Sequence, residues 1–189
     1  MDEIERRSLL KLGTNVLGGC FAAALGVPAA GYLIDPRNRS AATGDFRDAA
    51  RFSELTENVP QSVTIRDIRH DAWTLHPNDV LGRIWLVYRG EKDDEGVPKV
   101  EAYTATCPHL GGSINFDSQK FVCPLHGATF DKACKRVSAG ELGKENTAPR
   151  DMDSLEIEVV PDPDKPGDYF LRVKYENFMQ GREEKVKKA

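Results

Sequence analysis

The chain has 189 residues but only four cysteines, too few for a disulfide scaffold of this size. It also lacks an excess of positive charge, since its formal net charge is -4, which argues against a nucleic-acid partner. No internal repeat is visible, and no long helical periodicity occurs after residue 34. These absences leave a chain that is long enough for one compact domain with an appendage.

Charge is absent altogether from Leu12 to Ile34, a run of 23 residues. A helix of that length can cross a bilayer. Basic residues precede the run at positions 6–11, and the positive-inside rule places that flank in the cytoplasm. We therefore predict a retained transmembrane anchor in residues 1–34. A signal peptide removed near the small residues 27–30 is the main alternative, and a buried helix of a soluble domain is a third.

The segment Arg6-Arg7-Ser8-Leu9-Leu10-Lys11 resembles a twin-arginine export signal, although Glu5 and Leu9 depart from the pattern. That route carries proteins across the membrane already folded. It would suit a protein whose cofactor is inserted in the cytoplasm.

The rest of the chain favours β-structure. Residues 35–51 are polar and small, so we predict a flexible tether there, followed by a domain over residues 52–178. The strongest strand signals, short apolar runs bounded by turn residues, are Arg83–Arg89, Val100–Thr104, Leu155–Val160 and Tyr169–Tyr175. An antiparallel β-sandwich is predicted, and the charged residues 179–189 are predicted to form a solvated tail.

Two of the four cysteines and two of the four histidines lie close together. They form the pairs Cys107-x-His109 and, after a gap of 13 residues, Cys123-x-x-His126, among Pro and Gly residues that favour loops. A Cys2His2 zinc site is one interpretation, but zinc pairs usually join residues of one kind, C-x(2-4)-C and H-x(3-5)-H. One Cys and one His in each loop suit a binuclear centre, with two thiolates on one iron and two imidazoles on the other.

The loops Cys-Pro-His-Leu-Gly and Cys-Pro-x-His-Gly resemble the two cluster loops of the Rieske iron–sulfur family. Thr147-Ala-Pro-Arg150 resembles the proline-bearing loop that covers the cluster in that family, and residues 153–156 resemble the strand that follows it. The resemblance implies a mainly β Rieske sandwich, a small cluster-binding subdomain with loops at 105–113 and 121–131, and one N-terminal transmembrane helix. The implied ligands of the [2Fe-2S] cluster are Cys107 and Cys123 on the inner iron and His109 and His126 on the outer iron.

This ligand set has two chemical consequences. Two thiolates and two neutral imidazoles leave the oxidised centre neutral, whereas four thiolates leave a dianion, so the mixed set accepts an electron more readily. Each imidazole also keeps a second ring nitrogen that can carry a proton. A centre that gains an electron and becomes more basic can receive both from a quinol.

Two departures from the family pattern concern the surroundings of the cluster. Respiratory and photosynthetic Rieske proteins have a disulfide between the loops, but the corresponding positions here are Gly112 and Leu125, so no such bridge can form. High-potential members continue their second loop as His-Gly-Ser-x-Tyr, with both hydroxyls donating to sulfur. Ala128 and Phe130 stand at those positions, which predicts a low potential suited to menaquinol. The predicted apolar supports of the loops are Phe116, Phe121 and Leu125.

The resemblance implies an electron-transfer subunit of a membrane quinol-oxidising cytochrome bc-type complex, without a complete active site of its own. Quinol contacts are expected at His109, His126 and Leu110, and the implied partners are a cytochrome b-type membrane subunit and a c-type cytochrome in a dimeric complex. The expected location is the bacterial cytoplasmic membrane, single-pass, with the Rieske domain on the periplasmic side.

Other functions remain open at this point. One is the Rieske small subunit of a periplasmic molybdenum oxidase resembling arsenite oxidase, and another is a membrane-tethered Rieske ferredoxin. A Rieske oxygenase is not expected, because the length leaves no room for its mononuclear-iron domain. His70 and His76 are predicted to be ordinary surface or turn residues, Cys20 an apolar filler in the anchor, and Cys134 a free thiol.

Overall fold

The computed structural model describes residues 3–38, 45–70 and 74–188. They belong to two compact units, one built on an N-terminal helix and the other rich in β-strands. Helix α1 spans Glu3–Asn38, and its stretch Glu5–Leu33 is long and apolar enough to cross a membrane. Every side chain from Glu5 to Leu33 is exposed. That exposure suits a membrane-spanning or signal helix and not the buried helix of a soluble domain.

Six strands of the second unit form one sheet in the order β1-β9-β8-β4-β3-β2. The strands are β1 (Phe46–Arg51), β2 (Gln61–His70), β3 (Leu75–Lys92), β4 (Pro98–Thr104), β8 (Ser154–Pro161) and β9 (Tyr169–Lys174). The pairs β1–β9, β9–β8, β8–β4 and β4–β3 are antiparallel. Arg47 of β1 donates to Asp67 of β2 at 2.8 Å, so the two edge strands approach each other. The sheet therefore folds around its apolar core.

A three-stranded sheet carries the Cys/His loops, in the order β5-β6-β7. Its strands are β5 (Asn115–Phe116), β6 (Phe121–Cys123) and β7 (Ala128–Phe130). A single helical turn, α2 (Ala139–Leu142), follows β7. The apolar side chains of this subdomain form a core cluster of their own, separate from the cluster inside the six-stranded sheet. The predicted fold class, a mainly β Rieske architecture with a small cluster-binding subdomain, is confirmed.

The structure differs from the predicted boundaries near the tether. Helix α1 continues to Asn38, beyond the predicted anchor end at residue 34, and β1 occupies residues 46–51 of the predicted tether 35–51. The polar composition of β1 concealed a strand, because the charges of Arg47 and Asp48 are paired with Asp67 and Arg172 of neighbouring strands while Ala50 pairs with Leu171 of β9. Residues 39–44 of the predicted tether lie outside the described part of the chain.

The predicted solvated tail, residues 179–189, is mostly exposed over its described residues 179–188, but its backbone is ordered by hydrogen bonds. The amide of Met179 donates to the carbonyl of Val186 at 2.8 Å, and that of Lys188 donates to Asn177 at 2.8 Å. Phe178 is 4% exposed and belongs to the core of the large sheet. A charge-rich composition predicts solvation, but it does not reveal that one aromatic residue anchors the segment and that its backbone pairs with itself.

Candidate metal centre

The first Cys/His loop begins three residues after the end of β4 and closes on itself. The amide of Gly111 donates to the carbonyl of Cys107 at 2.9 Å, and the amide of Cys107 donates to the carbonyl of Gly112 at 2.7 Å. Gly111 has a φ of 78°, a left-handed conformation that glycine adopts without steric cost. The loop therefore turns tightly around the cysteine.

The second loop repeats this geometry between β6 and β7. The amide of Gly127 donates to the carbonyl of Cys123 at 3.0 Å, and Gly127 has a φ of 73°. In both loops, the glycine four residues after the cysteine closes one turn through a main-chain hydrogen bond. The two turns thus present their Cys and His residues in similar ways.

The two thiols lie together in the interior of the subdomain. Cys107 is 0% exposed and Cys123 is 2% exposed. Burial raises the pKa of the Cys107 thiol to about 11, and the adjacent Cys123 acts in the same direction. The backbone amides of His109 and Leu110 oppose this rise in the pKa of Cys107. This site stabilises a thiolate only when a cation compensates for its burial.

The two imidazoles lie outside the thiols. Their ring centroids are 5.0 Å apart, with the planes at 81°. His109 is half-buried and His126 is exposed. Leu110 and Leu125, each 63% exposed, are their neighbours in the two loops. The site therefore has an inner thiol pair and an outer imidazole pair.

This pairing bears on the choice between one metal ion and two. A mononuclear zinc site would need four ligands around one point. Two separate pairs, one of sulfur and one of nitrogen, fit a binuclear iron–sulfur centre.

The chemistry of the inner pair also fits such a group, since soft thiolate ligands select iron–sulfur clusters. A Cβ atom on Gly112 would lie 2.8 Å from the Cys123 sulfur, closer than real side chains approach. Glycine therefore keeps the backbone of the first loop close to the second thiol.

A third loop closes over the site and depends on Asn146, which the sequence analysis missed. Asn146 is 3% exposed. Its side-chain oxygen accepts from the amides of Thr129 at 3.2 Å and Ala148 at 3.1 Å, and its nitrogen donates to the carbonyls of Thr129 at 2.6 Å and Val137 at 2.9 Å. Thr147 adds a bond from its hydroxyl to the carbonyl of His126 at 3.3 Å. In sequence, an asparagine before Thr-Ala-Pro indicates only a turn.

Arg83 is a second residue that the sequence analysis missed. Its guanidinium donates to Ser113, Ile114 and Asn115, at 2.7, 2.6 and 2.9 Å. These three acceptors lie where the first loop returns to the sheet. An arginine at the start of an apolar strand looks like an ordinary polar boundary, so its role depends on the tertiary structure.

Other predicted residues are placed as follows. Ala128 and Phe130 are both fully buried, in the same apolar cluster as the two thiols. The Thr129 hydroxyl donates to the carbonyl of Gly127 at 3.0 Å and is thereby committed to the backbone. Cys134 is a free, buried thiol, and its burial raises its pKa to about 12.

The predicted apolar supports are only partly confirmed. Phe121 is fully buried, and the half-buried Phe116 packs against it with ring centroids 4.8 Å apart. Leu125 is 63% exposed and lies between the loops rather than beneath them, since a Cβ atom on Gly112 of the first loop would lie 2.6 Å from its Cδ1.

His70, His76 and Cys20 lie elsewhere. His70 is the last residue of β2, and His76 is half-buried on β3. Cys20 is exposed on α1.

The site and the fold together define a Rieske-type iron–sulfur domain. The Rieske [2Fe-2S] domain family matches residues 51–149, which include both loops and the third loop. The chain therefore belongs to the Rieske [2Fe-2S] family, as its motifs indicated, and the domain implies a [2Fe-2S] cluster and electron transfer. No curated protein matches the chain.

Solved structures with similar folds include the plasma membrane Rieske protein PetC3 of the cyanobacterium Synechocystis PCC 6803. It is 24% identical with a TM-score of 0.35, and the match covers 59% of this chain and 86% of that one. Two structures of the quaternary ammonium Rieske monooxygenase CntA, with inhibitor MMV12 and with L-carnitine, are 16% identical with TM-scores of 0.43 and 0.40. Each match covers 70% of this chain, which spans only 32% of the monooxygenase.

Proposed function

We propose that the protein is the electron-transfer subunit of a membrane quinol-oxidising complex of the cytochrome bc type. Cys107 and Cys123 would hold the inner iron of the [2Fe-2S] cluster, and His109 and His126 the outer iron. When bound, the cluster supplies one-electron redox chemistry. The observation that carries the proposal is the asymmetry of the site, whose thiols are buried while the imidazoles lie at the surface.

This asymmetry favours exchange of electrons and protons at one exposed tip. An imidazole nitrogen that does not bind metal can form a hydrogen bond with a quinol hydroxyl. Leu110 and Leu125 surround the histidines with apolar surface, which suits docking into an apolar pocket of another subunit. We propose Leu110, His109 and His126 as the quinol-contacting residues.

The surroundings of the thiols support a low-potential quinol, which we propose to be menaquinol. Ala128 and Phe130 are packed in the core with the cysteines and have no side-chain donor for sulfur. Fewer donors to sulfur leave the reduced state less stabilised. The reduction potential is therefore expected in the lower part of the Rieske range.

Helix α1 supports attachment of this domain to the membrane. Arg6, Arg7 and Lys11 lie at its N-terminal end, so the positive-inside rule favours a single pass with the Rieske domain on the periplasmic side of the bacterial cytoplasmic membrane. In that position, the domain would receive electrons beside a cytochrome b-type subunit and pass them to a c-type cytochrome, in a dimeric complex.

The decisive experiment is immunopurification of the protein from detergent-solubilised native membranes. We expect b- and c-type haem and menaquinol–cytochrome c reductase activity to purify with it, and an uncleaved N-terminus. Molybdenum with a cleaved N-terminus would instead identify the small subunit of a molybdenum oxidase. Recovery of the protein without haem or molybdenum would indicate a tethered ferredoxin.

A surface variant tests the proposed docking tip directly. Leu110→Ser should reduce quinol oxidation by the purified complex about tenfold or more, while leaving the cluster spectrum unchanged, because it removes apolar contact area. Val59→Ser is the matched control, since Val59 is also an exposed apolar residue, at 50%, outside the tip. Equal effects of the two variants would contradict docking through Leu110.

A further inference from the structure

The C-terminal segment, residues 177–188, folds back along the cluster-binding subdomain, and we call it the C-terminal clasp. Its two arms are joined by the bonds from Met179 to Val186 and from Lys188 to Asn177, both 2.8 Å. Phe178, at 4% exposed, fixes the start of the clasp in the core of the large sheet. Lys185 fixes its second arm by donating to the carbonyl of Ser154 at 2.6 Å.

The tip of the clasp contacts the first Cys/His loop. The amide of Gly181 donates to the carbonyl of Pro108 at 2.8 Å, between the proposed ligands Cys107 and His109. Gly181 has a φ of 71°, and a Cβ atom there would lie 3.7 Å from the carbonyl oxygen of His109. The clasp therefore lies directly against the loop backbone.

Arg150 connects the clasp to the third loop. Its guanidinium donates to the carbonyls of Met179, at 2.9 Å, and Arg182. It also donates to both oxygens of Asp153, each at 2.8 Å, and the two side chains are only 9% and 4% exposed. A bidentate, buried ion pair fixes the orientation of the guanidinium, so Arg150 holds the clasp at a defined position.

Together these contacts form a continuous connection between the two Cys/His loops. The second loop is bonded to Thr147 through the carbonyl of His126, and Arg150 lies three residues further along the same third loop. Arg150 then holds the clasp, and the clasp holds Pro108 of the first loop. Gly112 and Leu125 provide no covalent bridge between these loops.

We propose that Arg150 and the C-terminal clasp are positioning elements that hold the two cluster loops together in place of a cross-link. Without the clasp, the carbonyl of Pro108 loses its partner, and the backbone between Cys107 and His109 gains freedom. The cluster would then be released more readily and held in a wider range of geometries. This role does not depend on the electron donor or acceptor of the protein.

A double-mutant cycle on the full-length, cluster-loaded protein in detergent tests the proposal. Arg150→Lys keeps the positive charge beside Asp153 but loses the planar guanidinium with its several donors. Removal of residues 179–189 takes away the two carbonyls that accept from Arg150. Each change should accelerate release of the cluster to an iron chelator about tenfold, the scale of one hydrogen bond to a charged group. The double variant should release its cluster little faster than either single variant, because both changes break the same connection between the loops.

Electron paramagnetic resonance of the reduced cluster gives a readout that general destabilisation would not move. The lines of both variants should broaden at temperatures far below unfolding. Arg172→Lys is the matched control, because Arg172 also binds carboxylates and a backbone carbonyl, of Asp48, Glu158 and Phe46, but contacts no cluster loop. It should leave release and linewidth unchanged.

Additive effects in the double variant, about a hundredfold in total, would overturn the proposal. So would wild-type release and linewidth after removal of the clasp. If the truncated chain loses its far-ultraviolet β-signal, Gly181→Pro replaces it in the cycle, since proline removes the amide that donates to Pro108 and cannot adopt the φ of 71° at this position, so the clasp tip leaves the first loop. Unchanged cluster release in Gly181→Pro would equally overturn the proposal.

Discussion

A Cβ atom on Gly112 would lie 2.6 Å from Cδ1 of Leu125, so these two positions face each other across the cluster loops. The sequence comparison with disulfide-containing Rieske proteins placed their two extra cysteines at these same positions. The structure thus brings together a pair of residues that can be cross-linked by substitution.

We expect the double variant Gly112→Cys/Leu125→Cys to form a disulfide under oxidising conditions. Relative to its own reduced form, the oxidised double variant should be more stable by about 2–4 kcal/mol, measured by thermal loss of the cluster signal, with a mass decrease of two hydrogens confirming the bond. Gly112→Cys alone is the control, and it should be less stable than the wild type, because its Cβ atom would lie 2.8 Å from the Cys123 sulfur. A confirmed disulfide without stabilisation would show that the loops are already held rigidly.

Unlike the cross-linked variant, the wild-type protein should be insensitive to thiol reductants. All four cysteines are free in the structure, so strong thiol reductants should leave the thermal stability of the oxidised cluster unchanged. Differential scanning fluorimetry, with cluster absorbance followed in parallel, measures this. A marked loss beyond reduction of the cluster itself would reveal an unforeseen bridge, with Cys134 as the first candidate.

Ala128→Ser and Phe130→Tyr should each raise the reduction potential. A hydroxyl that donates to sulfur is worth about 1.5–3 kcal/mol when the acceptor is charged, which corresponds to roughly 65–130 mV for one electron. Redox titration followed by circular dichroism measures the change. Thr129→Val is the control, because its hydroxyl donates to the carbonyl of Gly127, and its potential should stay close to that of the wild type. Absence of a rise in both hydroxyl variants contradicts the prediction.

Replacement of Asn146 by Ala should destabilise the subdomain. The side chain makes four hydrogen bonds in a buried position, and its loss leaves two amides and two carbonyls without that partner. We expect a loss of about 2–4 kcal/mol in the free energy of unfolding, measured by chemical denaturation. Gln119→Ala, which removes an exposed amide side chain, should cost less than about 0.5 kcal/mol.

His126→Cys tests the assignment of the outer ligands. A thiolate in place of a neutral imidazole adds negative charge to the outer iron, so the potential should fall. The purified wild type should contain two irons and two sulfides per chain, and its reduced form should have an average g below that of four-cysteine clusters. Stoichiometric zinc without sulfide, or an unchanged potential in the variant, would rule out this ligand set.

The short-range features of this protein were readable from its sequence. Residue identity and spacing suffice to mark Cys107-x-His109 and Cys123-x-x-His126, because each pair lies within one turn closed by its own glycine. Alternating β-formers likewise indicated the hairpin of β8 and β9, whose register pairs Val160 with Phe170. An uncharged run of 23 residues is enough to indicate helix α1.

Only the tertiary structure decided how distant segments support the site. Asn146, Arg83 and Arg150 look like ordinary polar residues in the sequence. The side chain of Asn146 bonds to backbone groups, and each arginine bonds partly to backbone carbonyls, which carry no side-chain signal. The contact of the clasp with the first loop was not predictable for the same reason: the bond from Gly181 to Pro108 joins two main-chain groups 73 positions apart. Composition reports what a segment prefers in isolation, whereas main-chain hydrogen bonds between distant segments exist only after the chain has folded.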